Sequence, residues 1–235
     1  MIRDTDINTI TNARLFKGLS TEIVKDVLAG TSPRETPKSS VLFLEDDKAD
    51  YLYIVLEGWV KVYRSTPDGD EAVIAVVGAG ETIAEANLFA NRQHESSAEA
   101  VVDARVLPIS MKVLQEKIRQ TPELAMNLLG ELSNHLNDSA REIAKLKTHS
   151  GLQRTAEFLL ELCTVNEGPA IVALPYEKTL IARKLGMQPE SFSRILGKLA
   201  RLGIKAKSNK IVIPDVAWLR TTSEGGAAEM GIACR

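Results

Sequence analysis

The sequence has 235 residues, of which 29 are Lys or Arg and 31 are Asp or Glu, for a net charge of −2. This length accommodates one large domain or two small ones, and the 44% hydrophobic content is ordinary for a globular protein. No apolar run is long enough for a membrane helix, and the opening "MIRDTDINTI" carries acids in place of an apolar signal core. A cytoplasmic protein without membrane contact is therefore expected, and with only Cys163 and Cys234 a disulfide framework or cysteine-rich metal cluster is excluded.

Residues 5 to 30 read as helical, with Leu15, Phe16, Leu19, Ile23, Val24 and Val27 at helical spacings, Ser20 as an N-cap and Gly30 as a stop. From Ser39 to about Ile109 short β-rich runs take over, punctuated by Gly58, Pro67 to Gly69, Gly78 and Gly80. In "WVKVYR" the alternation of Val60 and Val62 with Lys61 and Tyr63 suits a half-exposed strand. Strands this short and this closely spaced predict an antiparallel sandwich or roll. No Ser-His-Asp set, catalytic acid pair or metal-spaced histidine cluster stands out, and no enzyme is expected.

Residues from about Lys112 to Leu146 read as one long helix. Leu124, Leu128, Leu132, Leu136, Ser139, Ile143 and Leu146 follow steps of three and four along one face. That stripe is longer than a small sandwich needs, and it predicts pairing with a second copy in coiled-coil fashion. Leu124, Leu128, Leu132, Leu136 and Ile143 are the candidate dimer contacts. A further helix begins near Gly151, and Cys163 within it reads as a core thiol.

The C-terminal third holds two short helices joined by Gly186-Met187-Gln188, flanked by "AIVALP" and "KAKSNKIVIPD" as strands. Helix, turn, helix and hairpin make a winged helix-turn-helix. In "MQPESFSRIL", Pro189 suits a first helical position. Phe192, Ile195, Leu196 and Leu199 share one face, and Glu190, Ser193 and Arg194 share another. Such a helix could be an ordinary amphipathic surface element, but its surroundings say otherwise. Between Tyr176 and Lys210 nine bases meet two acids, so the window carries +7 and the rest of the chain −9. A basic patch within an acidic chain is the footprint of a polyanion partner.

Taken with "LFKGLS", "YLYIVLEGWVKVYRSTPDGDEAVI", "GAGETIAEANLF" and "LGMQPESFSRILGKL", the order of parts resembles the CRP/FNR family of bacterial transcription regulators, over roughly residues 12 to 218. The resemblance implies an α+β chain. A cyclic-nucleotide-binding-like antiparallel β-roll would occupy 1–111, a dimerisation helix 112–148 and a winged-helix DNA-binding domain 149–235. It implies a homodimer that binds inverted TTGAT-like half-sites and meets RNA polymerase. It places Glu190, Ser193 and Arg194 on base edges, where such side chains read cytosine and guanine in the major groove. Lys178, Gln188, Lys198 and Lys210 then fall on phosphates. The turn carrying Asp68, Asp70 and Glu71 matches an activating surface.

The sensor is less defined. The cysteines needed for an iron–sulfur cluster are missing from the N-terminal region, so that cofactor is not expected. Glu85 matches the glutamate of cyclic AMP binders, and Ser96 and Ser97 complete a candidate pocket. The arginine position of those binders falls on Glu95 or Ser96, and an acid there would repel a cyclic phosphate, so cyclic AMP is not expected. Arg92 is near but wrongly spaced. "TIAEANLF" and "QPESFSR" look most like the Dnr/NnrR branch, which responds to nitric oxide with haem as its proposed cofactor. His94, His135 and His149 are candidate ligands only as the sole histidines; each also reads as a surface or structural residue, and Cys163 or an amine is the alternative ligand. The alternatives are a regulator that responds to a cyclic nucleotide or another small molecule, and an interaction module or effector that uses a cyclic-nucleotide-type roll without binding DNA.

Overall fold

The computed structural model describes residues 2–88 and 93–225, which form two compact units, Met1–Ser139 and Ala140–Arg235. Unit 1 opens with α1 (Asp4–Asn12), a 3-10 turn (Arg14–Phe16) and α2 (Thr21–Val27). The stretch that reads as one helical region is thus interrupted. Gly18, at φ +78°, turns the chain, and Ser20 restarts it by accepting the Ile23 amide at 3.4 Å.

Eight strands follow: β1 (Arg34–Thr36), β2 (Val41–Phe43), β3 (Tyr51–Glu57), β4 (Val60–Ser65), β5 (Glu71–Val77), β6 (Thr82–Ile83), β7 (Ser97–Ala100) and β8 (Ala104–Ser110). They make two antiparallel four-stranded sheets ordered β1-β8-β3-β6 and β2-β7-β4-β5. The period-two alternation of β3 explains its unbroken apolar sequence, because both faces are buried. Tyr53 and Val55 pack between the sheets with Phe43, Val60, Ala98 and Val106. Leu52, Ile54 and Leu56 face the helices, against Ile10, Phe16, Val24, Leu114 and Leu124. The turn from β3 to β4 requires glycine twice over. Gly58 has φ +82°, and a Cβ there would lie 2.5 Å from the Asp103 carbonyl.

A buried ion pair fastens α1 to the first sheet. Arg105 of β8 grips Asp6 with two parallel bonds of 2.7 and 2.9 Å, and Glu57 stands 3.1 Å from the same guanidinium. Asp6 is 1% exposed. The bond from Arg105 holds its carboxyl below the ordinary value of 3.8, against the opposing effect of burial.

The region read as one helix from Lys112 is two helices, α3 (Met111–Gln120) and α4 (Pro122–Thr148). Pro122 forces the break, since the residue before a proline is driven out of the helical region, and Thr121 lies at φ −131°, ψ 93°. The apolar stripe of α4 is also split between two tasks. Leu124 and Leu128 are buried in the core of unit 1, and Leu132 is half-buried against it. Leu124 and Leu128, two of the dimer contacts that sequence spacing suggested, are thus already claimed by packing within their own unit, and Leu132 is partly so. The face left open carries Met126, Leu129, Leu136 and Ile143, from 54% to 72% exposed. Leu129, Leu136 and Ile143 recur every seven residues.

Unit 2 contains α5 (Gly151–Glu161), β9 (Ala170–Ala173), α6 (Lys178–Lys184), α7 (Pro189–Arg201), β10 (Lys205–Lys207), β11 (Lys210–Ile213) and α8 (Val216–Ser223). Ser150 caps α5 through a reciprocal pair with Gln153. The three strands form an antiparallel sheet ordered β10-β11-β9, with Ile211 and Val172 paired on its buried face. The last helix, α8, has no counterpart in the sequence reading. Its signal is Asp215, whose carboxylate accepts the Ala217 amide at 3.0 Å, followed by buried Val216 and Leu219. Among the described residues no helix is long and apolar enough to cross a membrane.

Candidate nucleic-acid interface and effector region

The helix-turn-helix is built by α6, a four-residue turn and α7. Gln188 is the N-cap of α7 in extended conformation and Pro189 takes the first position. Phe192 and Leu199 are buried, and Ile195 and Leu196 half-buried, which fixes the rotation of the helix. Glu190, Ser193 and Arg194 are then all exposed on the opposite face, over the first two turns. The Arg194 guanidinium rests on the Ser191 hydroxyl at 3.1 Å, an exposed contact that holds it loosely. Lys178, Gln188, Lys198 and Lys210 are exposed as well.

The turn glycine has a steric reason. Gly186 lies at φ +63°, and a Cβ there would stand 2.6 Å from Leu146 at the end of α4. Arg154 of α5 joins the same two elements, donating to the carbonyls of Leu185 at 2.9 Å and His149 at 2.8 Å. In the wing sheet, cross-strand register puts Lys207 opposite Lys210 and Lys205 opposite Val212, so all three lysines share the outer face. The helix face and the wing thus present donors and positive charge around Glu190, the arrangement that a DNA groove with flanking phosphates demands.

In unit 1, Glu85 sits in a 3-10 turn (Glu85–Leu88) and is 9% exposed. Its carboxylate does not face an open site: Oε1 lies 2.5 Å from Nδ1 of His135 on α4. The other ring nitrogen, Nε2, lies 3.4 Å from Oε1 of Glu131, one turn back on the same helix. The bond to Glu85 is the main reason the His135 pKa rises above 6.5, with burial opposing it. Burial raises the pKa of Glu131, which is 3% exposed. Glu85 Oε2 and Glu131 Oε2 are buried with no hydrogen-bond partner among the described residues.

The other pocket candidates are placed differently. Ser97 is buried, but its hydroxyl accepts the Glu45 amide at 2.9 Å and so serves the roll itself. Ser96 is half-buried and Glu95 exposed, with the Glu95 carbonyl accepting from Arg64. Arg92 and Cys234 lie outside the described residues.

The described histidines fit a haem poorly. His94 is stacked face to face on Phe43 at 3.6 Å, accepts from the Asn87 amide at 3.1 Å and is 3% exposed. Both ring nitrogens of His135 face carboxylates, and His149, in the other unit, lies 2.9 Å from Glu157. No cluster of three His, Cys, Asp or Glu suited to a metal occurs among the described residues. Cys163 donates to the Leu159 carbonyl, and burial raises its pKa. On the β4–β5 turn Asp68 and Asp70 are exposed, but Glu71 is not the free charge expected. Glu71 holds the buried Lys61 ammonium at 2.7 Å, with Glu99 at 3.3 Å.

An antiparallel β-roll followed by a winged helix is the architecture of a DNA-binding transcription regulator. The cyclic nucleotide-binding domain model matches residues 33–121, and the Crp-like helix-turn-helix domain model matches 153–222. The chain belongs to the CRP/FNR family of transcription regulators. It is 30% identical to the cyclic AMP receptor protein of Thermus thermophilus over 81% of this chain and 87% of that one. A provisionally assigned cyclic nucleotide binding protein of Ruegeria pomeroyi shares 38% identity, covers 95% of this chain and 99% of its own, and superposes with a TM-score of 0.68. DNR of Pseudomonas aeruginosa shares 29% identity over 94% and 98%, with a TM-score of 0.52. The Dnr-like branch is thus one of several neighbours. The homologues are transcription regulators of this family.

Proposed function

We propose that two copies of this chain pair along the open face of α4 and present their α7 helices to an inverted repeat of TTGAT-like half-sites. The observation that carries this reading is the exposed trio of Glu190, Ser193 and Arg194 on the first turns of α7, with its apolar back anchored by Phe192 and Leu199. Arg194 offers two donors to guanine O6 and N7, Glu190 accepts from a cytosine amine, and Ser193 meets either base type. Lys178, Gln188, Lys198 and Lys210 hold the flanking phosphates. Asp68 and Asp70 form the activating surface toward RNA polymerase. The test is fluorescence anisotropy of the protein on a duplex with two inverted half-sites against a scrambled duplex. Tight, salt-dependent binding to the first alone supports the reading, and equal binding to both rejects it.

The roll carries the control of this DNA binding. A cyclic nucleotide is the second reading, favoured by the domain match over residues 33–121. Against it, the Glu85 carboxylate is taken by His135, and the arginine position of cyclic AMP binders is held by Glu95 or Ser96. Calorimetry with cyclic AMP separates the two, with no heat of binding expected. Haem and nitric oxide are a poor fit to this roll, because the histidines that would serve are engaged elsewhere.

A further inference from the structure

We propose that His135 is a tethered effector: its imidazole lies between Glu85 of the roll and Glu131 of its own helix, in an acidic subsite whose ligand class is a planar, nitrogen-bearing cation. This rests on the reading of the roll as the controlling unit.

The geometry carries the inference. A carboxylate with one oxygen 2.5 Å from a ring nitrogen already has its strongest partner. A second carboxylate, 3% exposed, lies 3.4 Å from the other nitrogen. The two remaining oxygens, Glu85 Oε2 and Glu131 Oε2, are shut from water and unpartnered among the described residues. Buried acceptors of this kind are costly unless donors reach them, so the subsite selects positive, donor-rich groups and rejects phosphate. The surrounding charges agree. Glu81 adds a further acid to the field around Glu131, and Arg14 is a cation acting on both Glu131 and His135. The bond to Glu85 raises the pKa of His135, which favours the imidazolium that the subsite binds.

The consequence is mechanical. Glu85 belongs to a turn of the roll and His135 to the helix whose open face is the proposed seam, so the pair clasps one to the other. A regulator that carries its ligand on its own helix holds α4 in the bound position without a small molecule.

Chemical rescue tests this. His135→Ala removes the tethered ring and leaves its place open to free imidazole. The melting temperature of the full-length variant, with and without millimolar imidazole near neutral pH, is the first readout and needs no DNA. Imidazole is expected to raise the melting temperature of His135→Ala, to leave the wild type unmoved, and to lose its effect when Glu85→Gln is added. The second readout is operator affinity, expected to fall about tenfold in His135→Ala and to recover with imidazole. Imidazole acting equally on wild type and variant overturns the proposal. So does stabilisation of the variant by cyclic AMP in place of imidazole, which would make the subsite a nucleotide site. A His135→Ala protein that keeps wild-type operator affinity overturns the tether as well. Should that variant fail to fold, His135→Gln supplies the same comparison, with weakened operator binding supporting the tether and unchanged binding refuting it. Loss of operator binding by the wild type, with imidazole rescue of melting intact, would fault the DNA reading and leave the subsite standing.

Discussion

Replacing Leu136 by alanine separates the proposed seam of α4 from the core beneath it. Leu136 is 72% exposed within its own chain, so the substitution removes little that holds one copy together. Full burial of a leucine contributes about 1.5–3 kcal/mol, and alanine retains roughly a third of that. Since most of the side chain is open, pairing with a second copy would bury it, and the substitution would cost about 1–1.5 kcal/mol per copy. A two-fold dimer contains the residue twice, which gives about 2–3 kcal/mol and a dimer dissociation constant weakened roughly 30- to 150-fold. Leu128 is the control. It is 2% exposed in the core of unit 1, and its truncation should cost about 2–5 kcal/mol of folding stability. Sedimentation velocity over a dilution series reads the first quantity, and denaturant unfolding reads the second. A Leu136→Ala protein that dissociates over the same concentration range as wild type would refute the seam.

Alanine at Lys198 or Lys210 should weaken specific and non-specific duplexes alike and lower the slope of log affinity against log salt by about one. A loss confined to the specific duplex would move either residue from phosphate to base. Asp6→Asn should cost up to about 3–5 kcal/mol of stability at neutral pH, because it leaves Arg105 with only its part-exposed glutamate partners. The folded pKa of Asp6 is depressed, so its contribution is complete above the unfolded value of 3.8 and disappears as pH falls through the folded one. Unfolding curves of wild type and variant should therefore run parallel above about pH 5 and converge below about pH 4. Neutralising Asp68 and Asp70 together should leave operator binding intact and lower transcription in a purified polymerase assay. Full activation by that variant would remove the turn from the polymerase interface.

Much of the architecture was legible because local chemistry and global fold agree. Ser20, Pro189 and Gly186 mark helix boundaries for reasons that hold in any context, and the +7 window coincides with the helix-turn-helix. The apolar run of β3 announced a strand buried on both faces, but the alternation in β4 misled, since Lys61 and Tyr63, expected on an open face, are both buried. What spacing could not separate was the two faces of α4. Leu124, Leu128 and Leu132 continue in step with Leu136 along the sequence, yet a straight helix drifts around its axis, and the core takes the first three. The break at Pro122 is readable from the proline, but the apolar periodicity continues across it and masks it. The acidic subsite was half visible. Glu85 could be singled out, but its partner lies fifty residues away on α4, and no local pattern ties His135 to it. The Asp6–Arg105 pair, separated by 99 positions, was invisible for the same reason. Glu71 looked like a free turn charge because only the sheet register reveals Lys61 beside it.

The central claim is that α7 reads bases through its exposed trio, and Arg194→Ala on two duplexes tests it most directly. Wild type and variant are titrated on the inverted repeat and on the same repeat with the contacted guanine changed in both halves. The variant should lose about 1–3 kcal/mol per half-site on the first duplex and almost nothing on the second, so that the preference for guanine disappears. An equal loss on both duplexes would mean that Arg194 touches only the backbone and that α7 enters the groove in a different register.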